Sequence, residues 1–598
     1  MATALTLLAA ALAVAPWVLV LCQRVGALGA AAVVSLAVPA LVLALLFATH
    51  ATGLGIAAGV LGLLAIAGGA GWALVVRRPS IRVRAGAWRE AWPAFVGAGI
   101  AASTFALALV VPGASRLAWS MLGDSASQLT EARLIYAAGG LEPPPLNNPV
   151  PLTPALVTAT AAVGRPTSGA RELFVHDLTA YAGTWATLIV AAALLAGVVA
   201  HGIVRAAGTL AGWAARLAVA GTSVLPLGWF WTGYPVKFGF INAHVSLVLL
   251  LAAVASYLAF VRRPWTGLVL QALAAVLLVL TWSPLAIFPA ALGVAHGLVA
   301  ARGWRELSVR VRVALVAGVI VVAPVAALFS YPLVRDARSS LTIAGGLAEF
   351  PKPMLAAAVI VLLGALGLTP LRRDRTGLGL AGIGVGALVG QAGILALAGQ
   401  LTGPWTYYPH KYAWLATAVV LTTAVPVALV AATGMRATWL RWGARGGVAL
   451  VIAVSLGLGS WWAPDQAAFL RNSLPVVILV EDDLPDEGHA PSAVPDAVAE
   501  RADAQTLTIP WRSDLANDYR AAFWLIHLER ERAILRGDGA AASELWMLAN
   551  FHEEAEEVCR LARVAGGLVV ETSDADAAAW LAGTCDADVE VVVGAVGR

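Results

Sequence analysis

Apolar runs of 17 to 25 residues recur along this chain from about residue 4 to about residue 463. Coiled as helices, runs of that length match the hydrocarbon core of a bilayer, and a water-soluble domain has no use for so many of them. Of 598 residues, 60% are apolar and only 12% are charged, so the fold class is a polytopic α-helical membrane protein. The first run, near residues 4–21, has no basic residue before it and further runs behind it. It therefore reads as a first transmembrane helix and not a cleaved leader. The net charge of +4 does not point to nucleic acid, because most of the arginines sit in short loops between the runs.

Helices are expected near 4–21, 27–47, 53–76, 91–112, 179–200, 217–230, 241–260, 266–281, 285–300, 313–330, 354–370, 377–400, 411–431 and 447–463, about fourteen spans in all. Alternate loops are rich in arginine, among them "RRPSIRVRAGAWRE", "ARGWRELSVRVR" and "GMRATWLRWGARGG". The loops on that side hold twenty Lys and Arg against nine on the other, with Lys411 counted at its loop's edge and the tail left aside, which places the arginine-rich loops in the cytoplasm. The long loop 113–178, the loops 231–240, 331–353 and 401–410 and everything after 463 are then expected outside a plasma membrane. Three parts follow: N-terminal transmembrane helices 1–90, a transmembrane core 91–463, and an extracytoplasmic tail 464–598.

The tail changes composition. It opens with "LPVVILVEDD", an apolar run of strand type, and continues with the helical stretches "DLANDYRAAFWLIHLERERAIL" and "ASELWMLANFHEEAEEVCRLARVAGG". "LVVET", another helix and "VEVVVGAV" close it, so strands alternate with helices as in a small α/β domain. Cys559 and Cys585 are its only cysteines. They fit an extracytoplasmic disulfide and equally a pair of buried thiols. "HEEAEE" lacks the second histidine of a zinc helix, and "EDDLPDE" reads as a solvated loop.

Chemistry is expected where polar groups break the apolar pattern. In the loop "SMLGDSASQLTEARLIYAAGGLEPPPLNNPVPLTPALV", Asp124 stands behind a glycine at the start of a helical segment that carries Gln128 and Glu131. A carboxylate there can serve as a general base, or can simply cap the helix. The chain has only three lysines, Lys237, Lys352 and Lys411, all in or beside expected outside loops and against the usual charge bias. An ammonium is a compact ligand for phosphate, and a lysine at a helix end can equally snorkel. For Lys411, inside "YYPHKY", Tyr407, Tyr408 and His410 add hydrogen-bonding groups and favour the phosphate. For Lys352 snorkelling is preferred. Arg335 and Arg338 in "YPLVRDARSS" extend the same positive patch, with Asp336 between them working against it. In "GWFWTGYPVKFGF", Trp229, Trp231, Tyr234 and Phe238 can stack on a sugar or form an interfacial aromatic belt, and the belt is preferred.

A large external loop with an acidic residue just after a span, a proline-rich turn and a surface helix, then more spans and an extracytoplasmic α/β tail, resembles the GT-C superfamily of integral-membrane glycosyltransferases. The likeness covers about residues 91–463 and is nearest in organisation to actinobacterial envelope arabinosyl- and mannosyltransferases. It implies a polyprenyl-phosphate sugar as donor, a cell-envelope glycan or lipid as acceptor, and Asp124 as the base. Taken with the residue chemistry above, donor-phosphate binding is expected at Lys411 and Lys237, with Arg335 and Arg338, and substrate contacts from Tyr407, Tyr408, His410, Glu131, Gln128, Trp231 and Tyr234. A divalent metal is a further option that the resemblance raises, although Gln128 and Glu131 stand where relatives carry a histidine or a second acid. The other reading is a transporter or flippase of a lipid-linked envelope intermediate. Transporters, however, place ionisable residues at mid-membrane, and these spans are poor in charge at their centres.

Overall fold

The computed structural model describes residues 2–77, 91–110, 117–143, 148, 150–167, 169–208, 213–301, 309, 352–402, 404–434, 438–453, 473–479, 490–501, 504–512, 519–551, 555–585 and 589–593. Among these residues, seven helical segments are long and apolar enough to cross a membrane. They are α1 (Ala2–Thr52), α2 (Ile56–Val76), α6 (Ala170–Ala207), α9 (Ile241–Phe260), the continuous segment Pro264–Ala301, α13 (Arg375–Leu397) and α14, counted as Tyr407–Thr433. The protein is a helical membrane protein.

Two of the seven contain a break. The 51 residues of α1 would stretch about 77 Å as one helix, more than twice the apolar core of a bilayer. Gly26, at φ 76 and ψ 170, interrupts it between the two runs expected at 4–21 and 27–47. Likewise the segment Pro264–Ala301 consists of α10 (Pro264–Trp282), a 3-10 turn at Ser283–Ala286, and α11 (Ile287–Ala301). Shorter helices fill other expected positions: α3 (Val96–Ala108), α7 (Trp213–Val224) and α12 (Pro353–Gly367). The span expected at 313–330 lies outside the described residues, and that at 447–463 does so after α15 (Thr438–Ala453).

The long loop after α3 folds into two helices, α4 (Ser125–Ala137) and α5 (Leu152–Ala161). Helix α6 begins at Ala170, nine residues before its expected start. Its 38 residues reach about 57 Å, so one end extends well beyond the apolar layer. Asp177 and Tyr181 sit on that end, beside α4.

The tail holds α16 (Leu474–Leu479), α17 (Ala490–Glu500), β1 (Leu507–Pro510), α18 (Tyr519–Leu535), α19 (Gly539–Phe551), α20 (Ala555–Ala565), β2 (Leu568–Thr572), α21 (Ala575–Thr584) and β3 (Val589–Val593). The three strands form one parallel sheet in the order β1-β2-β3, with Leu507 opposite Leu568 and Leu568 opposite Val589. Parallel neighbours require crossovers, which α18–α20 and α21 supply. Cys559 on α20 and Cys585 at the end of α21 are joined, their Cα atoms 5.2 Å apart.

The start of the tail corrects one expectation. "LPVVIL" is helical, not a strand. Its buried residues Leu474, Val477 and Ile478 fall at helical spacing and pack against α3. Burial of that stripe outweighs the strand preference of three β-branched residues.

The tail also does not stand apart from the long loop. A single apolar core runs from Ala98 and Ala101 of α3 through Trp119, Met121, Leu129, Phe174 and Trp185 into Trp524, Leu528, Leu545 and Leu568 of the tail. The long loop and the tail therefore lie on one side of the helical body.

Candidate functional site

Asp124 occupies the residue before α4, and its carboxylate makes no capping hydrogen bond. Tight backbone packing fixes the segment around it. The Asp124 N–H donates to the Phe238 carbonyl at 3.0 Å. Gly123 and Gly239 sit at φ 46 and φ 69, and a Cβ on either would collide with the backbone of the other segment. Two glycines in left-handed conformations thus let two loops touch where no larger residue fits. On the next residue, Ser125 Oγ accepts from Tyr181 OH at 3.0 Å.

The segment that receives Asp124 is itself braced. A single π-turn at Trp229–Gly233 leads into the short helix α8 (Tyr234–Lys237) and then to Phe240. Trp185 Nε1 donates to His244 Nδ1 at 2.9 Å, which leaves the proton of the neutral ring on Nε2. That nitrogen donates to Thr232 Oγ1 at 3.1 Å, and the Thr232 hydroxyl donates to the Pro226 carbonyl. The chain of hydrogen bonds ties α6, α9 and the π-turn together behind the site.

Lys411 belongs to the first turns of α14 (Tyr407–Gly434) and is 3% exposed. Its Nζ donates to Tyr407 OH at 3.0 Å. The same nitrogen lies 4.0 Å from the centre of the Phe240 ring, 5.2 Å from that of Tyr407 and 5.9 Å from that of Trp282. Ring faces attract an ammonium, but they do not satisfy its N–H groups. Of its three donors, one is spent on Tyr407, and no other oxygen partner stands beside it among the described residues.

The two charges act on one another. Burial pushes the Asp124 carboxyl above the usual carboxylate range, and the Lys411 ammonium opposes that rise. Tyr408 stands within electrostatic reach of the same carboxylate and stacks on Trp282 with ring centres 6.5 Å apart. One turn beyond Asp124, the buried Gln128 Oε1 has no hydrogen-bond partner among the described residues. A carboxylate, an ammonium and two tyrosines therefore act on one another here, and an unpartnered amide oxygen lies one turn along α4 from the carboxylate. Such a set can take a proton from a hydroxyl and hold an anion beside it.

Other expected site residues are placed elsewhere or are engaged. Trp231 is 2% exposed and donates from Nε1 to the Ala418 carbonyl at 3.2 Å, so it joins two helices and offers no face to a sugar. Glu131 binds Arg530 of the tail at 3.2 Å and Asn148 at 3.5 Å. His410 is buried against Trp405, with ring centres 5.4 Å apart. Lys352 is exposed and lies over the Trp405 ring at 5.5 Å. Tyr234 and Lys237 lie in α8, their side chains outside the described residues, and Arg335 and Arg338 are wholly outside them. No three His, Cys, Asp or Glu come together as a metal-ligand group among the described residues.

Phe240, Trp282 and Tyr181 were not singled out from sequence. Their one signal is position, since each lies within a turn of a span's end on the long-loop side. Comparison with protein-family models, curated proteins and solved structures finds no match for the chain, so its function rests on its own residues and geometry.

Proposed function

We propose that the chain is a GT-C-type glycosyltransferase of about fourteen spans that acts at the outer face of a plasma membrane, with the tail extracytoplasmic. It transfers a sugar from a polyprenyl-phosphate donor to an envelope glycan or lipid. The observation that carries this reading is the buried Lys411 ammonium, with donors to spare among the described residues, within electrostatic reach of a carboxylate not engaged in capping. The acceptor oxygen attacks the anomeric carbon as its proton passes to Asp124. The bond from that carbon to the donor phosphate oxygen breaks, and the leaving phosphate keeps the electron pair next to Lys411. Attack opposite the leaving group inverts the anomeric centre. Placing a base and a cation on either side of the reacting carbon stabilises the charge that develops there. Tyr407 and Tyr408 orient the headgroup.

The test is transfer from polyprenyl-phosphate mannose and polyprenyl-phosphate arabinose to an added envelope glycan or lipid extract, by the purified protein in lipid nanodiscs. Release of polyprenyl phosphate is expected from one of them, and it should vanish in Asp124→Asn. Near wild-type release by Asp124→Asn would falsify the assignment of the base. Movement of the intact lipid across a vesicle membrane, with no release, would show a flippase instead.

A further inference from the structure

The segment that carries Asp124 is gripped by the tail at both ends. Three residues before Asp124, the carbonyl of the buried Met121 accepts from Trp524 Nε1 at 2.8 Å. The Trp524 ring, 1% exposed, packs edge-on against Phe174 with ring centres 5.8 Å apart. Beyond Asp124, Glu131 meets Arg530 at 3.2 Å, and Arg133 Nε meets the two oxygens of Glu531 at 2.8 and 2.9 Å. All three partners lie on α18.

Local pairing of charges ties this grip together. Asp177, 1% exposed, binds Arg133 at 3.1 Å and Arg165 at 2.8 Å. At this cluster the long loop and α6 hold two arginines against one buried aspartate, because Glu131 of the loop is turned to Arg530. Glu531 of the tail brings the second negative charge and balances the group. Without it, a partly buried cation would be left uncompensated, and with Trp524 gone a buried carbonyl would lose its donor.

We propose that Trp524, Arg530 and Glu531 are positioning residues: the tail completes the site by setting the loop that aims Asp124, without itself touching substrate. This inference rests on the transfer reading only for its effect on turnover.

The experiment compares hydrogen–deuterium exchange of residues 121–133 in full-length protein in nanodiscs. Trp524→Phe keeps a ring and removes the N–H. Arg530→Glu sets two acids against each other, and adding Glu131→Arg restores the pair in reverse. Exchange of the segment is expected to quicken about tenfold in each single variant and to return to within about twofold of wild type in the charge-swapped pair. Unchanged exchange in α9 shows that the body stays folded. With the donor that the protein accepts, kcat should fall about tenfold with KM nearly constant. Unaltered exchange of 121–133 in both single variants overturns the grip. Faster exchange with full kcat overturns the positioning role. The exchange measurement needs no substrate, so a protein that transfers no sugar would end the transfer reading while this arm still decides the grip.

Discussion

Asp124 and Lys411 act on one another electrostatically, yet they are held in opposite ways. Asp124 sits on a loop whose shape depends on hydrogen bonds and ion pairs, several of them from residues some 400 positions away in the tail. Lys411 sits on a membrane helix, in a cage made by its own turn and by Phe240 and Trp282. The anion is therefore adjustable from a distance, while the cation is fixed locally. A reaction that needs a well-placed base and a constant phosphate anchor suits that division. Perturbing each side separately breaks the comparison in a measurable way.

The largest effect is expected at the carboxylate. Asp124→Asn keeps size and the backbone contact to Phe238 but removes the proton acceptor. Turnover should fall about 10²–10⁴-fold while polyprenyl-phosphate binding persists, as read by release and by binding assays side by side. The cation should behave in the reverse sense. Lys411→Met should weaken polyprenyl-phosphate binding by about 2–5 kcal/mol, and Lys411→Arg should recover only part of it. Lys352→Ala, at the exposed lysine, should change binding little.

The same substitution probes the coupling between the two. Burial already raises the Asp124 carboxyl and Lys411 lowers it, so loss of the ammonium leaves burial unopposed. The base works only when deprotonated, and turnover therefore rises with pH through its pKa. In Lys411→Met the acid limb of the pH–rate profile should move to higher pH. An unmoved limb would mean that the two groups do not share a site.

The two regions also differ in how legible they are in the sequence. Asp124 and Lys411 stand out because a charge at the end of an apolar run is conspicuous, and the spans stand out because their length alone identifies them. Phe240 and Trp282 do not, since aromatic residues line the ends of many spans. Trp231 is ambiguous for the same reason: its position in the sequence favours an interfacial belt, whereas the ring is buried and joins the π-turn to α14. The tail contacts are hidden more deeply. Within the helical stretch "DLANDYRAAFWLIHLERERAIL", Glu529 and Glu531 are buried and Glu531 serves Arg133. Which acid meets which arginine depends on tertiary docking, and no local pattern encodes it.

On the tail side, smaller effects follow. The bridge between Cys559 and Cys585 spans 26 residues and closes α20 onto α21. Reduction should cost the tail about 3 kcal/mol of stability by releasing that loop in the unfolded chain. A thermal melt with and without reductant measures it. Binding of polyprenyl phosphate at Lys411 should hardly respond, because the cage contains nothing from the tail.

The smallest effect concerns pH and the tail alone. His527 on α18 is 1% exposed, and neither ring nitrogen has a hydrogen-bond partner among the described residues. Burial, with Arg530 adding repulsion, pushes its pKa down to about 3. The unfolded chain takes up a proton near pH 6.5, while the folded tail refuses it until about pH 3. Stability from this group is thus fully present above pH 6.5 and drains away as pH falls toward 3. At pH 5 the loss amounts to about 2 kcal/mol relative to pH 7. The ring packs against Phe523 with centres 4.5 Å apart, so Phe is a fair replacement in shape. His527→Phe should melt with less dependence on pH between 7 and 5 than wild type. Because α18 also carries Trp524, Arg530 and Glu531, acid should loosen residues 121–133 in wild type and less so in the variant. Equal acid sensitivity of the two proteins would place the titrating group elsewhere.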